Sequence, residues 1–325
     1  VKTLPAALAV CLALPSLSFA GDMAGHELLV ATLRTGDTEI FIIDPDTGDA
    51  RNLTRSPRSR ERYPSWSPDG KRVAFNSDRD GTFNLYVIGA NGRGLRQLTR
   101  EKPGVEAGMQ SWTADGQWIY FGLFGKGPPR MCRIAPDGSN FREVGKGIDP
   151  AVSPDGKAVA FARALSDGHH LYAMNADGSN MRKLTAKGNP FGGIHAAWSP
   201  DGKAIFYADQ VGDALEIFRI DPDGKNVRQL TRLGRAATTP AVSPDGKWIS
   251  FRLCDEIYWR DGKTSERAYR ERRADKRPVW VMGADGSNPH VLEVLHYQTT
   301  IDGSRAPWRP KPPRGGKKGI KPRGS

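Results

Sequence analysis

One short turn constrains this chain more than anything else in it. Trp66-Ser67-Pro68-Asp69-Gly70-Lys71 returns as Thr113-Ala114-Asp115-Gly116, Ser153-Pro154-Asp155-Gly156, Ser199-Pro200-Asp201-Gly202 and Ser243-Pro244-Asp245-Gly246, with a truncated copy at Trp308-Arg309-Pro310. Counted from the Trp or Val ahead of each copy (66, 112, 152, 198, 242, 308), the spacings are 46, 40, 46, 44 and 66 residues. Four short strands and their turns occupy about 40–45 residues, so the period predicts a propeller.

The turn chemistry agrees. Pro presets φ, Asp bonds its own backbone, and Gly supplies a positive φ without a Cβ clash. Apolar runs such as Arg72-Val73-Ala74-Phe75, Trp118-Ile119-Tyr120-Phe121 and Trp248-Ile249-Ser250-Phe251 follow the turns, which makes each turn a hairpin between an inner and a second strand. A second turn family recurs out of phase at Asn91-Gly92, Asp137-Gly138, Asp177-Gly178, Asp223-Gly224 and Asp285-Gly286, with Asp46-Thr47-Gly48 in the first repeat. Each unit is therefore four strands built from two hairpins.

The first strands, Glu27–Ala31 and Glu39–Ile43, have no inner strand ahead of them, and Ala306-Pro307-Trp308 is an inner strand with nothing after it. One completes the other. The expected fold is all-β: a six-bladed β-propeller of four-stranded antiparallel blades, closed by pairing the N-terminal strands with the C-terminal strand.

Residues 1–20 read as a signal peptide, with Lys2, an apolar stretch from Leu4 to Leu14, and Ser18-Phe19-Ala20 ahead of Gly21. This predicts a periplasmic or secreted protein with the propeller at 21–308. Of 48 basic residues, seven lie in a Pro- and Gly-rich tail at 309–325 that holds no acid. Without these and Lys2, 40 basic side chains face 36 acidic ones. The tail is expected to be disordered and to offer a polybasic contact to an anionic envelope surface. Nucleic acid is not an expected partner of an exported chain. Cys132 and Cys254 fall in repeats on opposite sides of a six-membered ring, too far apart for a disulfide.

The turns share one end of the blades. The other, open face carries the longer crossings, and recognition belongs there. Three residues before each marker, where the inner strand is expected to begin, stand Tyr63, Met109, Asp149, His195, Thr239 and Arg305. They form the expected binding ring at the channel mouth. Arg58, Arg60, Arg62, Lys102, Lys146, Lys187, Arg232 and Arg235 in nearby loops bias it toward anionic ligands. A 27-residue stretch separates Phe251 from Val279, against nine residues between Phe75 and Leu85. This insert (252–278) reads as a lid or arm, with Tyr258, Trp259 and Tyr269 as contact residues.

No metal, cofactor or catalytic set is expected. His169-His170 reads as a loop, and adjacent histidines on an extended chain point apart. His195 and His296 are ligand candidates only with partners that the spacing does not place. The Asp-x-Asp-Gly stretches lack the downstream Glu of a calcium loop, and no Gly-x-Ser-x-Gly or His-Glu-x-x-His motif occurs.

The series Trp66-Ser67-Pro68-Asp69-Gly70-Lys71-Arg72-Val73-Ala74-Phe75, Asn84-Leu85-Tyr86-Val87, Asn91-Gly92 and Arg96-Gln97-Leu98-Thr99 resembles the repeat of TolB-type six-bladed propellers, over roughly His26 to Trp308. The resemblance implies a periplasmic binding propeller, as TolB engages a peptidoglycan-associated lipoprotein across its open face; the expected function is that of a monomer binding a protein or an anionic polymer through that face. TolB carries an α/β domain ahead of its propeller, whereas here the blades are expected to start within a few residues of the signal peptide. Related propellers serve as oligogalacturonate lyases and as gates of prolyl-oligopeptidase-like peptidases. The alternative reading is thus a metal-assisted lyase acting on acidic oligosaccharides, with His195 as ligand or base.

Overall fold

The computed structural model describes residues 26–32, 37–44, 47–190, 192–254, 279–291 and 308–310. Its strands follow the two turn families. The first sheet begins with β1 (His26–Thr32), β2 (Glu39–Ile43) and β3 (Ala50–Asn52). The second holds β4 (Glu61–Trp66), β5 (Arg72–Ser77), β6 (Asn84–Gly89) and β7 (Arg96–Gln97). The third holds β8 (Glu106–Trp112), β9 (Ile119–Phe124), β10 (Arg130–Ile134) and β11 (Arg142–Lys146). The fourth holds β12 (Ile148–Val152), β13 (Ala158–Leu165), β14 (Gly168–Asn175) and β15 (Arg182–Lys183). Next come β16 (Ile194–Trp198), β17 (Ile205–Val211), β18 (Ala214–Ile220) and β19 (Arg228–Gln229). They join β20 (Ala236–Val242), β21 (Trp248–Cys254), β22 (Val279–Gly283) and β23 (His290–Val291) through a single parallel pair, Leu215 with Ala236. The last strand, β24 (Trp308–Pro310), lies antiparallel to β1 with Leu28 opposite Trp308. Arg309 and Pro310 thus belong to a strand, and the tail boundary expected at 309 moves past them because they continue the ladder to Glu27 and His26.

Each sheet buries both faces, which is why its central strands are almost continuously apolar. Along β5, Val73 and Phe75 pack with Leu29, Ile40, Ile42 and Leu53 of the first sheet, while Ala74 turns to Ala107, Trp112, Ile119 and Phe121 of the third. This is the two-residue period of a pleated strand. On its other face the first sheet packs Leu28, Val30, Phe41 and Ile43 against Val279 and Val281 of β22.

The repeated turns lock by one device. The Ser67 hydroxyl bonds Asp69 Oδ1 at 2.6 Å and takes the Arg72 N–H at 2.9 Å, while the Lys71 N–H reaches the same Asp69 oxygen at 3.0 Å. Thr113, Ser153, Ser199 and Ser243 repeat the hydroxyl–carboxylate bond at 2.6 Å. In the first four turns that hydroxyl is the main cause holding Asp69, Asp115, Asp155 and Asp201 below the usual carboxylate range. At Gly178 and Gly286, φ is +92° and +89°, and an added Cβ would lie 3.1 Å and 2.9 Å from the Val144 and Leu230 carbonyl oxygens of the preceding strand group. Gly is required there both for the turn and for close approach.

The Arg-x-Leu-Thr ending of the outer strand has three separate uses. Its Leu is core. Its Thr hydroxyl accepts the N–H of a central-strand residue, from Leu85 to Thr99 at 2.9 Å, Leu171 to Thr185 at 3.1 Å and Ile217 to Thr231 at 2.9 Å. Its Arg crosses to the next turn: Arg51 donates to Ala90 O at 3.0 Å, Arg96 to Asp137 O at 3.1 Å and Arg182 to Pro222 O at 3.0 Å. Neighbouring inner strands are joined in the same sense, Trp112 Nε1 donating to Ser65 O at 3.2 Å and Trp198 Nε1 to Ala151 O at 2.9 Å.

Thr231 tests this arrangement because it also donates to Glu216 Oε2 at 2.5 Å and is buried. Thr231→Val preserves shape but strands the Ile217 N–H and one carboxylate oxygen, so urea unfolding should show a loss of about 1–3 kcal/mol. A loss under roughly 0.5 kcal/mol would mean that water replaces the hydroxyl.

Candidate binding site at the inner-strand bulges

Five of the six expected ring positions share one unusual backbone. Tyr63, Met109, Asp149, His195 and Thr239 have φ of 51°, 57°, 65°, 56° and 53°. Each sits where the inner strand slips register against its neighbour: between Arg62 and Ser65, Gly108 and Ser111, Ile148 and Ala151, Ile194 and Ala197, and Thr238 and Ala241. Two residues there oppose one, and the one is always a buried aromatic: Phe75, Phe121, Phe161, Tyr207 or Phe251. These are β-bulges. A left-handed backbone costs an ordinary L-residue about 1–2 kcal/mol, and β-branched Thr239 is the extreme case. Pro64, Pro150 and Pro240 follow three of the five, at a position where a missing N–H breaks no ladder bond.

The expectation that these residues open the strand is corrected. Pairing resumes beyond the bulge, Glu61 with Ser77 and Thr238 with Arg252, so the side chains project part-way along the inner strands. Arg305, the arm residues Tyr258, Trp259 and Tyr269, and His296 lie outside the described residues.

The inner strands β4, β8, β12, β16 and β20 adjoin in that order. Asp149, buried, accepts the His195 N–H on Oδ2, which joins two ring residues directly. Gln110, next to Met109, donates to the Tyr63 carbonyl and, at 3.2 Å, to Ala74 O. Among the described residues no hydrogen bond links Thr239 to the others, although it shares their backbone. Tyr63, Met109, His195 and Thr239 are half-buried.

Of the loop cations, Arg58, Lys102, Lys146, Lys187 and Arg232 are exposed, whereas Arg60, Arg62 and Arg235 are half-buried. Arg60 Nε binds Asp78 Oδ2 at 2.6 Å. The guanidinium groups of Arg60 and Arg62 lie 5.2 Å and 4.2 Å from the centre of the buried Phe83 ring. Stacking of this kind fixes both heads on Phe83.

His169 and His170 belong to β14 rather than to a loop, because the ladder opposite Ala164 and Arg163 runs through them. His170 is buried, with Nε2 2.9 Å from Asp167 Oδ1 and Nδ1 3.2 Å from Thr185 O. His169 Nδ1 donates to Pro190 O at 2.8 Å. Among the described residues no group of three or more His, Cys, Asp or Glu is placed to hold a metal ion. Cys132 is a buried free thiol, and burial pushes its pKa up to about 12.

Residues 15–122 and 139–258 match the TolB beta propeller domain, more than half of the chain. The chain belongs to the TolB beta propeller domain family. The protein TolB homolog of Chlorobium luteolum is 31% identical over 144 residues, 43% of this chain and 32% of that protein. The Tol-Pal system protein TolB of Anaeromyxobacter dehalogenans is 30% identical over 169 residues, 50% of this chain and 36% of that protein. The chain thus spans about a third of the length of these relatives. Its fold resembles the crystal structure of TolB from Acinetobacter baumannii (TM-score 0.67, 20% identity, 90% of this chain and 68% of that one). It also resembles a putative TolB from Agrobacterium tumefaciens (TM-score 0.61, 21% identity, 82% and 88%). An oligogalacturonate lyase from Vibrio parahaemolyticus shares the fold at a TM-score of 0.54 and 16% identity over 82% of this chain and 74% of that one.

In this TolB propeller one residue near the ring escaped the sequence reading. Glu61, two positions before Tyr63, is fully buried. Its Oε1 accepts from Ser59 Oγ at 2.7 Å, Ser77 Oγ at 2.9 Å and Arg79 Nη2 at 3.2 Å, and Thr54 Oγ1 reaches Oε2 at 3.4 Å. The equivalent positions hold Ala107, Gly147, Gly193 and Ala237, so a carboxylate in a small-residue slot was the available signal. Burial raises its pKa from 4.5 to about 7, against the pull of those donors.

A carboxyl whose folded pKa is raised holds its proton after the unfolded chain has lost it. Its contribution to stability therefore falls as pH rises from 4.5 to about 7 and is level beyond. The wild type minus Glu61→Gln difference in unfolding free energy should show that slope, up to a few kcal/mol. A flat difference would place the ionised form in the fold. At Thr239, substitution by Asn, which tolerates the left-handed region, should raise stability by about 1 kcal/mol in the same assay.

Proposed function

We propose that this chain is an exported envelope propeller whose six blades close where β24 joins β1. It binds a protein or an anionic polymer through the face opposite the Ser-Pro-Asp-Gly turns. The observation that carries this reading is the recurrence of one left-handed bulge under five chemically different side chains, Tyr63, Met109, Asp149, His195 and Thr239. A repeated backbone that displays a varied set of groups is suited to recognition, since local strain gathers where structure serves a site. Packing of the first sheet on both Phe75 and Val281 supports closure, as does the Leu28–Trp308 pair. A protein partner is favoured by kinship with the Tol-Pal system protein TolB.

In this reading Arg305 completes the ring and the arm at 252–278 covers one side of it. The leader at 1–20 delivers the chain to the periplasm, and the basic tail adds a peripheral contact that weakens with salt. The lyase alternative asks for several metal ligands around the His195 ring, and the Asp149 carboxylate meets the His195 backbone N–H instead.

The ring is tested by placing a photocrosslinking residue at Tyr63 or, as a control at the turn end, at Lys203, and irradiating intact cells. An adduct from position 63 that falls about tenfold on His195→Ala is expected, with none from position 203. Equal adducts from both positions, or none from 63, would defeat the open-face site.

A further inference from the structure

The outer-strand arginine crosses to the next blade's turn at three seams, and at Arg228 neither that bond nor a substitute for it forms among the described residues. Arg51, Arg96 and Arg182 each donate to a turn carbonyl of the following blade at 3.0–3.1 Å. Between the third and fourth sheets the Tyr120 hydroxyl bonds Ala176 O in place of Arg142. Between β19 and the turn joining β22 to β23, Arg228 occupies the arginine position and Ala284-Asp285-Gly286 is the matching turn. Its backbone pairs with Arg219 in the ladder, but no hydrogen bond or ion pair joins the Arg228 guanidinium to any described residue.

The seam remains open as a cleft of about 610 Å³ lined by Val227, Arg228, Leu230, Arg232, Asp285 and Ser287. Arg228 and Arg232 both face it, and Arg232 likewise has no bonded partner among the described residues. Asp285 is already committed to its own turn. Its Oδ1 accepts the Ser287 N–H at 2.9 Å, and bonding to Ser287 holds its carboxyl below the usual range, with a smaller pull from Arg228. Two guanidiniums against one engaged carboxylate leave the cleft positive. Leu230 forms a buried floor, and Val227, 53% exposed, is the most exposed large apolar side chain described.

We propose that this cleft is a binding site for a small organic anion. A carboxylate or phosphate group sits between Arg228 and Arg232, and an apolar face of the ligand lies on Val227 and Leu230. The volume suits a ligand of one or two sugar units, and arginine's planar fork matches both anionic groups. The site lies on the outer flank, so it is independent of the bulge ring.

Calorimetric titration of the full chain with glucuronate and with glucose 6-phosphate, with glucose as the neutral control, tests the proposal and separates the two anion chemistries. At least one charged sugar should bind in the ~10 mM range or tighter, and glucose should not. Arg228→Ala and Arg232→Ala should each weaken binding roughly tenfold, with a smaller loss for Arg228→Lys, which keeps charge without the fork. Both side chains are exposed, and unchanged melting temperatures show that the variants fold. Absence of binding by both charged sugars, or equal affinity for wild type and both alanine variants, overturns the site.

Discussion

Everything in this molecule follows from sheets that are apolar on both faces. A four-stranded sheet of this size exposing Phe75 on one side and Ala74 and Val87 on the other has no stable existence alone. Burial of one such ring contributes roughly 2–3 kcal/mol, and ordering the strands costs more than a single face returns. Each sheet needs a neighbour on either side. A linear stack would leave its two end sheets bare, but here the first sheet meets both the second sheet and β22. Packing faces, rather than hydrogen bonds, define the arrangement, and the strand edges are kept short: β7, β15, β19 and β23 have two residues each.

Once the faces are buried, the polar backbone at the ends of the strands must be satisfied, and the repeat spends its remaining residues on that. Thr99, Thr185 and Thr231 accept central-strand N–H groups. Asn84 and Glu216, one residue before the strand N–H in question, turn back to take the N–H groups of Glu101, Leu233 and Gly234 at 2.8 Å. Crossing loops of different length thus leave the sheets by the same exit. The loops can vary because their roots do not.

Much of this was legible in the residues. Ser-Pro-Asp-Gly and Asp-Gly have chemistry that admits few structures, so the four-stranded antiparallel sheets and their strand order could be read directly. The ring positions were found by counting back from Trp or Val, yet their conformation was not foreseen. The clue was present in Pro64, Pro150 and Pro240, because proline inside an inner strand marks a position without a ladder bond. His170 was misassigned because Asp167-Gly168 reads as a loop, when Gly168 opens a strand at φ +123°. Glu61 was hidden for a different reason. Its meaning comes from Ser59, Ser77 and Arg79 closing over it, and no local pattern announces that convergence.

The bulges set the proposed binding positions apart from the rest of the inner strands. Slipping one residue shifts the strand beyond it by half a pleat, so Glu61, Ala107, Gly147, Gly193 and Ala237 turn to the seams and only small residues fit, save at Glu61. The strained residue itself is lifted out of the alternation, so the seam does not dictate its type; it is half-buried at four of the bulges and buried at Asp149. Tyr, Met, Asp, His and Thr therefore follow one another around positions whose opposing aromatic never becomes aliphatic. The same geometry leaves bulge backbone groups outside the ladder, and the neighbouring inner strand answers them, Asp149 taking the His195 N–H and Gln110 donating to the Tyr63 carbonyl. Adjacent inner strands are thereby hydrogen-bonded to one another at the bulge backbone.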